Sequence, residues 1–559
     1  MKRHKGWKVR SVAVEIVPAL ILALVTLAAA VVCSPGIAAA RPVIVTDQGP
    51  LRGLTVSGEQ QFLGIPYAAP PVGSLRWLPP RPPARFKGVF QATQFGSACT
   101  QPNPNAAGST LGSEDCLTLN IYVPDIEPPP HGFPVMVWIH GGGLTGGGGF
   151  LYDPTSLVQK GNVIVVTINY RLGLLGFFAH PAIDAEGHLN ANYGLMDQQF
   201  AFDWVRRNIG AFGGDHKRVT IFGESAGGIS VLSNVASPTA AGLFQGAITE
   251  SGAVIQFQDY FDPVSIVPLA TTESIGTPFV PAGTALADKV GCSSQTAECL
   301  RATSAATLVE AEPPSLLLPI VDGAILSQTP DAAFESGAFN RVPVINGMNH
   351  DEYRLLVALQ YDLTGNPLTD AQYPDAVAAL LNQIRTVSSS FVQAVLALYP
   401  LSNYPPPTGY SVSAPLALGA LGTDYAWECP ARNADLSLAK YVATYTYEFH
   451  DETAPPPPGF SSLSFPFGDG HGVVLPYLFS SLFGVTPTLT SDQRQLSDTM
   501  IGYWTQFAKA GNPNSEGAPN WPEYGATAQF QSLVAPTPAP ESDATFDADH
   551  KCSLFWDTF

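Results

Sequence analysis

The sequence predicts an α/β protein in which helices flank a large, mostly parallel central sheet. Three observations carry this expectation. The runs Pro134–Ile139, Val163–Asn169 and Arg218–Phe222 are short, apolar and rich in β-branched residues, and read as buried strands. Leu195–Asn208, between the second and third runs, has helical length and apolar spacing. Strand, helix and strand in succession favour parallel pairing. With 45% of its 559 residues hydrophobic, the chain has ample material for a large core.

The N-terminus reads as an export signal. Lys2, Arg3, Lys5, Lys8 and Arg10 precede an apolar run from Ala19 to Val32, and Ala38-Ala39-Ala40 offers a small-residue cleavage site before Arg41. Residues 1–40 are therefore expected to be a signal peptide cleaved near Ala40. Residues 41–559 then form one domain that is secreted or extracytoplasmic. The apolar run is short against the roughly 20 residues of a membrane span, so a retained anchor is the lesser alternative. Val32 before Cys33 disfavours a lipoprotein. No later stretch is apolar enough to cross a bilayer, so no stable membrane insertion is expected.

Charge narrows the partners. The whole chain carries 27 Lys+Arg against 46 Asp+Glu, net −19. Removing residues 1–40 takes away five basic residues and Glu15, leaving 22 against 45, net −23. Such a surface repels nucleic acid and anionic membranes, and disfavours a strongly anionic substrate. Beyond Cys33 there are six cysteines, Cys99, Cys116, Cys292, Cys299, Cys429 and Cys552. In an exported chain an even number reads as three disulfides. No C-x-x-C pair or His/Cys cluster has zinc spacing, so no metal is expected. Gly and Pro are spread as loop punctuation, and Pro128–Pro130, Pro405–Pro407 and Pro455–Pro458 read as surface loops.

The first strand ends in His140-Gly141-Gly142-Gly143. A tetrahedral intermediate needs backbone N–H groups aimed at its oxygen, and glycine lets the backbone approach. Gly142 and Gly143 are the candidates, while His140 reads as a packing residue. A plain flexible loop is the blander reading, since Gly146–Gly149 prolongs the run. A phosphate-binding loop is disfavoured because no G-K-[ST] follows. After the third strand comes Gly223-Glu224-Ser225-Ala226-Gly227, followed by a small-residue helix. A serine on a sharp strand-to-helix turn stands clear of the sheet, and the N–H of the next residue, Ala226, faces the same side. Ser225 is the candidate nucleophile.

In such sites the order along the chain is Ser, then Asp or Glu, then His. Of His350, His450, His471 and His550, His471 ranks first, because Gly468, Gly470 and Gly472 can bend its loop over a cleft. His450, at the end of the strand-like run Tyr441–Phe449, ranks second. The acid belongs at a strand end, and Val342–Ile345 is a short apolar run followed by Asp351 and Glu352. Either acid fits on this ground. With a histidine base, the rate is expected to rise with pH through about 6–7.

Taken together these segments resemble the type-B carboxylesterase/lipase family, the cholinesterase-like α/β-hydrolases. The likeness runs through Phe62–Ala68, Pro70–Trp77, Ser113–Tyr122, Val137–Gly143, Asn192–Leu195 with Asp197-Gln198, Val219–Gly228, Val344–Glu352 and His471–Phe479. It implies an α/β-hydrolase fold with loop and cap insertions, and a cofactor-free serine esterase. It also implies that the acid is Glu352, that Ser251 hydrogen-bonds that acid from behind, and that the cysteines pair as Cys99–Cys116, Cys292–Cys299 and Cys429–Cys552. The implied partner is a small neutral carboxylic ester, cleaved through an acyl-enzyme. Lipase action on longer glycerides is the near alternative, and a non-catalytic binding protein on the same fold the distant one. Val474, Leu144 and Tyr353 depart from the usual family residues. The loop between Cys99 and Cys116 has no aromatic residue, so choline esters are expected to be poor substrates.

Overall fold

The computed structural model describes residues 43–56, 58–188, 191–252, 279–312, 319–384 and 387–558. The expected signal peptide, residues 1–40, lies outside the described residues. Among the described residues no helix is long and apolar enough to cross a membrane.

Eleven strands form the central sheet: β1 (Leu54–Val56), β2 (Glu59–Pro66), β3 (Thr118–Pro124), β4 (Phe133–Ile139), β5 (Ile164–Ile168), β6 (Gly214–Glu224), β7 (Gly246–Glu250), β8 (Val344–Asn349), β9 (Thr444–Phe449), β10 (Gln529–Leu533) and β11 (Ala539–Ser542). They lie in the order β1-β2-β3-β5-β4-β6-β7-β8-β9-β10-β11. From β5 to β10 every pairing is parallel. The antiparallel pairings are confined to the margins, β1 to β3 with β5 on one side and β10 with β11 on the other. The mostly parallel sheet expected from the apolar runs is present.

Burial on both faces explains why those runs are continuous rather than alternating. Val135, Val137 and Ile139 of β4 point into one core, with Val166 and Ile168 of β5. Met136 and Trp138 point into the other, with Val165 and Phe222. On the first face lie α2 (Tyr193–Asn208), which begins two residues before the expected start, and α3 (Ala226–Ala236). On the other lie α1 (Thr155–Gly161) and α6 (Ser491–Ala510), whose Trp504 is fully buried. Thr490 and Gln493 close a capping box at the start of α6. Between these, α4 (Ala414–Thr423) continues through a π turn, Asp424–Glu428, into α5 (Cys429–Leu438). All three disulfides, Cys99–Cys116, Cys292–Cys299 and Cys429–Cys552, are formed.

Candidate active site

The parallel strands point their C-terminal ends to one edge, and the site assembles there from four of them. β6 passes directly into α3, with Ser225 as the hinge at φ 58° and ψ −124°. Positive φ in a residue other than glycine costs on the order of 1–3 kcal/mol and persists only where surroundings hold it. Here the Ser225 N–H donates to the Glu250 carbonyl at 2.9 Å, and its own carbonyl accepts from the Ile229 N–H at 2.9 Å. The turn is this sharp because α3 must start hard against β4: a Cβ on Gly227 would overlap the Ile139 carbonyl oxygen. Ala226 is the first residue of α3, where backbone N–H groups have no intrahelical partner.

The glycine loop leaves the end of β4 and lies against this turn. A Cβ on Gly141 would sit 3.0 Å from the Ser225 Cβ. Gly142 adopts φ 108° and Gly143 φ 63°, and a side chain on Gly142 would overlap the Gly146 carbonyl. Among the described residues neither the Gly142 nor the Gly143 N–H donates a hydrogen bond within the chain. His140 packs, as expected. It is buried and stacked on Tyr170 with centroids 4.5 Å apart, and its carbonyl accepts from the Tyr170 hydroxyl at 2.7 Å. Burial pushes its imidazole down to about 4.

The base and acid come from loops beyond β8 and β9. His471 Nδ1 is hydrogen-bonded to Glu352 Oε2. Its Nε2 lies 3.3 Å from Oε1 of Glu224, the residue before Ser225. Glu352 is fully buried, and its second oxygen accepts from the Asn349 N–H at 2.8 Å. The Asn349 side chain donates to the Gly470 carbonyl at 3.1 Å, fastening the acid's segment to the histidine's. Trp427, from the π turn, meets the His471 ring edge-on at 6.2 Å between centroids. Burial pulls His471 down, but the charges of Glu352 and Glu224 and the hydrogen bond to Glu352 outweigh it and raise the imidazole to about 9. Burial raises Glu224 to about 7, against the opposing pull of His471.

The structure thus separates residues the sequence left as alternatives. Asp351 turns away from His471 to Arg354, at 2.8 Å, and accepts the Asp469 N–H at 3.2 Å. His450 stacks on His350, with Nε2 3.8 Å from Asp469, and takes no part in the Glu352 pair. One expectation fails in detail. Ser251 is buried at the end of β7 with φ 55°, but its hydroxyl has no hydrogen-bond partner among the described residues, so the bond expected to Glu352 is not made. Its backbone N–H instead donates to the Gly347 carbonyl at 2.8 Å. Glu224 and Trp427 were missed. Glu224 is the free position of G-x-S-x-G, and nothing local marks Trp427.

A serine strained at a strand-to-helix turn, with a histidine–carboxylate pair delivered by later strand ends, is how enzymes of the α/β-hydrolase fold are organised. The comparisons agree. The chain belongs to the Carboxylesterase family, whose pattern matches residues 40–554, and it is a carboxylic ester hydrolase. It is 35% identical to a cocaine esterase of Homo sapiens over 520 residues, 88% of each chain. To the para-nitrobenzyl esterase of Bacillus subtilis (strain 168) it is 35% identical over 494 residues, 86% of this chain and 92% of that one. A solved PNB esterase superposes with a TM-score of 0.71 at 31% identity, covering 91% of this chain and 100% of the other.

Proposed function

We propose that this carboxylesterase is an exported serine enzyme, with residues 41–559 as one catalytic domain, cleaving neutral carboxylic esters through an acyl-enzyme. His471 Nε2 takes the Ser225 hydroxyl proton as the serine oxygen attacks the ester carbonyl. Glu352 fixes the Nδ1–H tautomer and stabilises the imidazolium. The N–H groups of Gly142, Gly143 and Ala226 receive the oxyanion. His471 then protonates the departing alcohol, and water repeats the sequence to release the acid and restore Ser225. Ser251 lines the rear of the acid's strand as a supporting residue.

The observation that carries this reading is His471, held by Glu352 on one nitrogen, with the other 3.3 Å from the carboxylate of Glu224, the residue before Ser225. Export is supported by the basic and apolar N-terminal segment together with three disulfides. The acidic chain favours uncharged substrates over anionic ones. p-Nitrobenzyl esters are natural first substrates, given the names of two relatives. A chain-length series of p-nitrophenyl esters distinguishes esterase from lipase action by where turnover falls.

The test is covalent. An organophosphonate probe should label Ser225 stoichiometrically, and Ser225→Ala should lower esterase turnover by about 10⁴-fold or more while remaining folded. A variant keeping a tenth of the activity would show that the nucleophile lies elsewhere.

A further inference from the structure

The two histidines that the Glu352–His471 pair does not use, His350 and His450, meet just beyond β8 and β9. Their rings stack with centroids 4.4 Å apart, 24° from parallel. Beside them sits Asp469, which is fully buried and whose two carboxylate oxygens have no hydrogen-bond partner among the described residues. The nearer oxygen is 3.8 Å from His450 Nε2, too far for a hydrogen bond. A buried carboxylate left without donors is costly, and native proteins rarely keep one without a use. One donor atom from each of His350, His450 and Asp469 lies within 4.8 Å of the others. We infer that these three side chains form a binding site for a single divalent transition-metal ion of the Zn²⁺ class, which ties the segment of Glu352 to that of His471.

The ligand chemistry favours that class. Two imidazoles and one carboxylate suit Zn²⁺ or its neighbours, whereas Mg²⁺ and Ca²⁺ prefer all-oxygen sets. Tetrahedral bonds of about 2.1 Å put ligand atoms about 3.4 Å apart, so binding draws the three together and turns the stacked imidazoles until a nitrogen of each points at the ion. The site is open to entry and to a water as further ligand, since the His450 side chain is 39% exposed and that of His350 25%. Metal-bound imidazoles are commonly oriented by a carboxylate on the other nitrogen. His350 has one on each side, Asp351 at 3.4 Å from Nδ1 and Asp549 at 3.3 Å from Nε2, both long enough that an ion can displace one and keep the other as the orienting partner. His550 is nearby but committed, with Asp424 at 2.7 Å and Glu448 at 2.8 Å on its two nitrogens.

The placement gives the ion a purpose. His350 stands two residues before Glu352, and Asp469 two residues before His471. A metal held by both, and by His450 at the end of β9, fixes the spacing of the two loops whose side chains must meet. The ligands come from widely separated segments, which is why no local spacing betrays them.

The experiment uses the full chain after chelator treatment, whatever reaction the neighbouring site performs. ZnCl₂ titrated by calorimetry should bind at one ion per chain and raise the unfolding temperature, while MgCl₂ at the same concentration should not. CoCl₂ should give the visible absorption bands of a low-symmetry nitrogen/oxygen site in the unaltered protein. His450→Gln and Asp469→Asn should each weaken Zn²⁺ binding by at least about tenfold, and His131→Gln, at an exposed loop histidine, should leave it unchanged. Absence of Zn²⁺ and Co²⁺ uptake by the unaltered chain would overturn the inference. So would a folded His450→Gln variant that binds Zn²⁺ as tightly as the parent.

Discussion

Asp351 and Glu352 are adjacent, yet they face opposite partners, and each substitution should fail differently. Glu352 holds His471, so Glu352→Gln should cut kcat by roughly 10³-fold or more with the fold retained, since a neutral amide favours the wrong imidazole tautomer. Asp351 is buried against Arg354, so Asp351→Asn should cost stability, about 3 kcal/mol, because it strands a cation. Comparing turnover and denaturant midpoints of the two variants checks the pair; a larger loss of turnover in the Asp351 variant would reverse the roles. The second residue-scale prediction concerns pH. In the proposed mechanism His471 must be neutral to act as base, and the carboxylates of Glu352 and Glu224 raise it to about 9, above the range expected from an ordinary histidine. The rate should therefore climb with pH through the region near 9. Glu224→Gln removes one of the charges holding the proton, so the midpoint of kcat/KM against pH should fall; an unchanged or higher midpoint would contradict this. The same elevation has a stability counterpart. It favours the folded state fully below the unfolded value of about 6.5, and that contribution is lost as pH rises through about 9. From the residues alone the acid was undecided, because both carboxylates follow the same strand and only the tertiary partner distinguishes them. Resemblance to a family settled on Glu352, but Glu224 carried no signal, since the motif leaves its position free.

At the scale of elements, legibility followed burial. β4 and β5 were readable nearly to the residue because both faces are covered and the run is uniformly apolar. β6 proved longer than its apolar part, since residues 214–218 enter the strand at its exposed end. β8 was misplaced. It spans Val344–Asn349 rather than 342–345, because Asn346, Gly347 and Asn349 are polar or small yet fully within the sheet. Asn346 is accommodated there by a hydrogen bond to Asp435 at 2.8 Å. Polar residues buried with partners defeat a hydropathy reading by construction. The same tightness makes a prediction at the β6–α3 junction. Gly227→Ala places a methyl group on the Ile139 carbonyl, a backbone atom at the C-terminal end of β4 that cannot swing aside. The variant should lose about 3 kcal/mol and move Ala226, with turnover falling alongside. Urea denaturation measures the first; a midpoint equal to the parent would mean the junction is looser than its geometry.

Over the whole molecule, three disulfides act on three different lengths of chain. Cys99–Cys116 spans a separation of 17 residues, Cys292–Cys299 one of 7 and Cys429–Cys552 one of 123. The first two close local loops. The third carries the C-terminal tail back onto α5, and the tail is docked as well as tethered. Buried His550 sits between Asp424 and Glu448, and the Trp556 indole donates to the Tyr399 hydroxyl at 2.7 Å. In the chain-entropy view a crosslink stabilises by restricting the unfolded chain, more for a longer loop. Loops of these lengths then contribute about 2.5, 3 and 5 kcal/mol in order of span. Replacing each cysteine pair by serine should reproduce that order in denaturant midpoints, with the Cys429/Cys552 pair the most damaging. Its variant should also release the tail first, since His550 and Trp556 then depend on side-chain contacts alone. Tail release is separable from global unfolding, because it exposes the amides of residues 543–557 to hydrogen exchange before the sheet melts. If loss of the Cys292–Cys299 pair proved costlier than loss of Cys429–Cys552, unfolded-chain entropy would not be what this crosslink supplies. The tail would then be held chiefly by its carboxylate–histidine network.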